Sequence, residues 1–91
     1  MEKRFLAPDL YVYLLSLSSV LTNIGEEDAA KRVFRVSRFA SGSTSEFLGE
    51  AAVVLPKILR DHGGQMTESD RIRLTEAIDG IEYEFRLVGG A

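Results

Sequence analysis

Few side chains in this 91-residue sequence could do chemistry, and they are scattered. It contains one histidine, His62, and no cysteine. The missing thiols exclude cysteine nucleophiles, Fe–S clusters and cysteine zinc sites. His62 follows Asp61, but successive residues on a helix point about 100° apart and do not form a working acid–base pair. With Gly63-Gly64 after it, His62 reads as a surface residue ending a helix, where its cation would meet the negative end of the dipole. Ser41-Gly42-Ser43-Thr44-Ser45 precedes a helical pattern, as an anion-binding loop would. It lacks the lysine and the glycine spacing of a P-loop and no strand leads into it, so it reads as a connection ending in an N-cap. Glu46 with Glu50, and Asp79 with Glu82, share helix faces. No Glu-x-x-His accompanies them, and Glu46 and Glu50 fall on the polar side of their helix, which leaves solvated charge rather than a carboxylate metal centre. The sequence therefore offers no nucleophile–base pair, no metal set and no cofactor loop, and a non-enzymatic protein is expected.

Two surfaces stand out instead. Lys31, Arg32, Arg35 and Arg38 fall within eight positions with no acid among them, and Phe39 lies beside them. Such an arc can follow a nucleic-acid backbone while a ring stacks on a base. The competing reading is that Arg32, Arg35 and Arg38 pair with Glu76, Asp79, Glu82 or Glu84 of a neighbouring helix. The second surface is the segment from Asp9 to Glu26, which carries no charge between those two residues. Surface helices normally show charge on their outer side. Tyr11, Val12, Leu15 and Ser19 on that outer side are candidates for contact with a partner, and dimers are the commonest soluble assembly.

The elements that position these residues are read from periodicity. Breaks at Asn23-Ile24-Gly25, Ser41-Gly42-Ser43 and His62-Gly63-Gly64 leave four segments of helical length. In the first, Leu10, Tyr13, Leu14, Leu17, Val20, Leu21 and Ile24 gather on one face at about 100° per residue. Pro8 and Asp9 suit its first turn, and Gly25 suits the left-handed position after its last. The second, from Glu26 to Ala40, buries Ala29, Val33, Val36 and Ala40, with Ala30 and Phe34 at the edge of the stripe. The third opens with capping-box spacing at Ser43-Thr44-Ser45-Glu46 and carries a wide apolar face from Phe47 to Leu59. Pro56 within it predicts a kink near Ala52 to Pro56, or two short helices. The fourth is capped by Thr67 and places Leu74, Ala77, Ile78, Ile81, Phe85 and Val88 at helical spacing. Residues 81–88 also alternate as a strand would, but the only other alternating, β-prone stretch that could pair with them is Leu10 to Leu14, and helix is the preferred reading.

These segments predict one all-α domain over residues 1–91, a small four-helix, mostly antiparallel bundle with a Pro-kinked third helix. The formal charge is −3, and it is unevenly placed: residues 1–45 hold six bases and five acids (+1), residues 46–91 five bases and nine acids (−4). This balance argues against a dedicated nucleic-acid coat or a polybasic membrane binder. Met1-Glu2-Lys3-Arg4 ahead of Leu10 to Leu21 faintly resembles a secretory leader. Pro8 and Asp9 interrupt it and no small-x-small cleavage site follows cleanly, so a cytoplasmic protein is expected. The functional expectation is a small helical interaction or regulatory module, homodimeric through the first helix. The alternative is a nucleic-acid-binding regulator using Lys31, Arg32, Arg35, Arg38 and Phe39.

Overall fold

The computed structural model describes residues 7–87 as four helices with no strand among them. These are α1 (Ala7–Asn23), α2 (Glu27–Ser37), α3 (Thr44–His62) and α4 (Glu68–Leu87), with single 3-10 turns at Arg38–Ser41 and Gly63–Gln65. Residues 81–87 belong to α4, so the helical reading of that stretch holds; Val88 lies outside the described residues.

Each helix boundary has a local cause. Gly25 takes φ +86°, a left-handed conformation that costs glycine little. There the Gly25 amide donates to Thr22 O (3.0 Å) and the Glu26 amide to Leu21 O (2.8 Å). This paired arrangement is the Schellman motif, and it satisfies carbonyls that α1 would otherwise leave open. Ser43 accepts the Glu46 amide at the start of α3, and Thr67 accepts the Asp70 amide at 3.1 Å at the start of α4. Pro56 sits inside an uninterrupted α3 rather than between two short helices. Having no N–H, it leaves the Ala52 carbonyl without the usual donor four residues on.

The expected apolar faces become the core. Leu10, Leu14, Leu17 and Leu21 of α1 meet Ala29, Val33 and Val36 of α2, then Phe47, Leu48, Ala51, Leu55 and Ile58 of α3 and Leu74, Ala77 and Ile81 of α4. Full burial of each leucine or isoleucine contributes about 1.5–3 kcal/mol. The Cα radius of gyration is 12.3 Å, close to the ~12 Å expected of a folded chain of this length.

Sequential helices are the nearest neighbours: α1 packs on α2, α3 on α4, and α2 joins the two pairs through α3. Both hairpins are antiparallel. Ser18 Oγ, late in α1, donates to Ala30 O, early in α2, at 3.1 Å. Gly49, early in α3, lies against the ring of Phe85, late in α4, where a Cβ would stand 3.7 Å away.

Two details differ from the sequence expectation. The second helix ends at Ser37 and tightens into a 3-10 turn, where periodicity alone carried it to Ala40. The buried Ser37 hydroxyl donates back to the Phe34 carbonyl, drawing that oxygen away from the ladder at this point. Within the stripe, Ala30 is core whereas Phe34 turns outward.

Candidate functional site

The outer face of α1 is the first surface. Val12 is 64% exposed and Tyr11 41%, with Ser16, Ser19, Thr22 and Asn23 also exposed. Leu15 and Val20 are half-buried, yet neither is among the side chains packed against the core. The expected contact residues Tyr11, Val12, Leu15 and Ser19 are thus together on the side of α1 turned away from the core. Among the described residues no other helix covers that side: α2 approaches along Ser18, and Arg73 of α4 stacks on Tyr13 at 5.6 Å from the ring centroid. Tyr13 itself is core, and burial pushes its phenol well above the usual range, Asp70 adding to the shift and Arg73 opposing it.

The second surface is the outer side of α2. Lys31, Arg32, Arg35 and Arg38 are all exposed. Among the described residues none of them forms an ion pair, with α4 or any other element. The reason is topological: α2 and α4 are not packing neighbours, because each leans on α3 instead. The internal pairing of this arc with the fourth helix, one of the two sequence readings, is therefore absent. The expected aromatic member is displaced. Phe39 is half-buried and packed against the core, because the 3-10 turn swings it inward. It floors a shallow depression with Arg35 and Arg38, and Phe34, at 51% exposed, is the ring that stands among the cations in solvent. Sequence reasoning missed Phe34, which lies at the margin of the apolar stripe where an angle of about 100° per residue cannot decide inward from outward.

His62 departs furthest from expectation. Its side chain is only 16% exposed, and Nδ1 lies 3.7 Å from Glu26 Oε1 and 3.3 Å from Gln65 Oε1. It clasps the α1–α2 turn to the α3–α4 turn rather than ending a helix in solvent. Beside it, Arg71 Nη1 donates to Met66 O at 3.0 Å and to Gly63 O at 3.3 Å, so this arginine holds the turn. The hydrogen bonds of both side chains run to groups of the α3–α4 turn.

Among the described residues no three of His, Cys, Asp and Glu come together in a way that could hold a metal ion, and no helix is long and apolar enough to cross a membrane. The chain is an all-α domain of four helices packed against each other. It matches no protein-family model, and no curated protein and no solved structure resembles it at a significant level.

Proposed function

We propose that this protein is a non-enzymatic protein–protein interaction module that pairs with a second copy of itself through the outer face of α1. The observation that carries this reading is the outer side of α1, which holds no charge after Asp9 and is left uncovered by the other helices among the described residues, with Val12 and Tyr11 in solvent. A second copy is the occupant this surface suits. Two uncharged faces related by a twofold axis leave no charge unpaired, and Ser16 and Ser19 let the helices approach closely around Val12 and Leu15. One helix pair makes a seam at the small end of specific interfaces, below about 1,200 Å² in total. The dimer is accordingly a weak one that depends on concentration. The reading includes a cytoplasmic setting.

Sedimentation equilibrium tests it. At about 1 M salt, where the Debye length is about 3 Å, the wild-type chain is expected to dimerise reversibly, and Leu15→Glu and Val12→Glu each to give a folded monomer with unchanged helical circular dichroism. Val12 is the more exposed, so its variant separates loss of contact from loss of fold. A wild-type chain monomeric at all concentrations overturns the proposal, as does a dimer that survives both substitutions.

A further inference from the structure

The outer faces of α2 and α4 carry complementary sequences of charge that never meet within one chain. On one side of α2, running into its 3-10 turn, the exposed charges are Glu27, Lys31, Arg35 and Arg38, one acid followed by three bases, with Asp28 and Arg32 exposed beside them. Along α4, read from its C-terminal end, the exposed order is Arg86, Glu82, Asp79, Glu76: one base followed by three acids. The spans match, since eleven residue steps of helix cover about 16 Å and ten cover about 15 Å. At about 100° per residue, each set shares one side of its helix. None of these eight side chains forms an ion pair among the described residues. Apolar surface accompanies both rows: Phe34 stands exposed within the first, and Ile72 and Tyr83 lie along the second.

We propose that the outer face of α2 docks antiparallel on the outer face of α4 of a second copy, in a head-to-tail contact separate from the α1 seam. In this register Lys31, Arg35 and Arg38 meet Glu82, Asp79 and Glu76, Glu27 meets Arg86, and Phe34 sits over the Ile72–Tyr83 side of α4. Nucleic acid suits the basic row less well, because Glu27 and Asp28 lie in line with it and the chain as a whole is negative. The two faces belong to different patches of the surface, so one contact leaves a free α4 face on one copy and a free α2 face on the other. It therefore propagates into chains or closes into a ring.

The contact is tested on the Val12→Glu chain, which lacks the α1 seam, by sedimentation velocity at about 0.05 M and about 1 M salt, where the Debye length is about 3 Å. Salt-sensitive self-association is expected, weakening roughly tenfold over that range because the pairs are exposed and few. On the same background, Lys31→Glu/Arg35→Glu and Glu76→Lys/Asp79→Lys are each expected to stay monomeric, and their equimolar mixture to associate again. If either reversed variant fails to fold, Lys31→Gln/Arg35→Gln and Glu76→Gln/Asp79→Gln replace the pair, each expected to lose association at low salt. A chain that is monomeric at low salt overturns the proposal. So does self-association that survives reversal, or neutralisation, of either row, and so does a mixture of folded reversed variants that stays monomeric. Binding of a single-stranded oligonucleotide that is lost in Lys31→Glu/Arg35→Glu, from a chain that does not self-associate, overturns it in favour of nucleic acid. The α1 seam carries no charge and is insensitive to salt, so failure of one contact is distinguishable from failure of the other.

Discussion

Gly25→Ala isolates the turn that folds α2 back onto α1. Gly25 has φ +86° and an added Cβ would meet nothing within 4 Å, so the substitution costs backbone conformation and no steric clash. Holding an L-residue in the left-handed region costs about 1–2 kcal/mol. Against this, alanine lowers the entropy of the unfolded chain and returns about 0.4–1 kcal/mol. The net loss is about 0.8 kcal/mol. Gly64→Ala is the matched control: it too has open space around its Cβ position, and its φ is not positive. It gains the unfolded-state term alone, and stability rises by about 0.4–1 kcal/mol. The gap between the two variants is then about 1–2 kcal/mol, the left-handed cost itself. For a domain of this size each kcal/mol moves the melting temperature by about 4–8 °C. Calorimetry or thermal circular dichroism on both variants reads that gap directly. Equal shifts in the two variants would refute the reasoning, because they would mean that α1 does not end in the left-handed turn.

Further outcomes follow from single contacts. Ser43→Ala and Thr67→Ala remove the acceptors that start α3 and α4 and are each expected to lower stability by about 1 kcal/mol in urea titration. The Thr67 effect is the larger, since its bond is 3.1 Å against 3.4 Å for Ser43. Phe47→Ala empties a fully buried site at a cost of about 3–5 kcal/mol. That rivals the total stability of a small domain, about 5–15 kcal/mol, so the cooperative melting transition should fall steeply or vanish. Val53→Ala, on the exposed side of the same helix, should change stability by less than about 0.5 kcal/mol. Because burial raises the Tyr13 phenol above its unfolded value, folding favours its neutral form. Stability from this group is fully present below about pH 10, the unfolded value, and is lost as pH rises beyond it. The urea midpoint should therefore decline above that pH in the wild type and decline less in Tyr13→Phe.

Local chemistry made most of the fold legible. The leucine spacing of α1, the glycine at 25 and the hydroxyl caps at 43 and 67 each act within a few residues, and each is where the pattern puts it. Two of the misreadings share one physical origin. A helical wheel tells which face is apolar but not which neighbour covers it. Hence nothing in the spacing of Lys31, Arg32, Arg35 and Arg38 announces that α2 and α4 each pack on α3 rather than on one another. Likewise His62 looks like a helix-ending surface residue until the α1–α2 turn, 36 positions earlier, brings Glu26 beside it. Phe39 turns inward because the chain changes helical pitch just before it, whereas Phe34 sits within α2 at the margin of the apolar stripe, where the wheel cannot decide. The uncharged outer face of α1, by contrast, was visible from composition alone.

The pairing of each helix with its chain neighbour also bears on how the molecule is made. Contacts close in sequence form after short loop closures, which lose little entropy, and helical folds rich in them reach the native state in microseconds to milliseconds. Each hairpin here, α1 with α2 and α3 with α4, can assemble as a unit before α2 meets α3. Native-state hydrogen exchange should then resolve two protected blocks of amides, one ending near Ser37 and the other beginning near Phe47. The stretch between them, around Gly42, should open first.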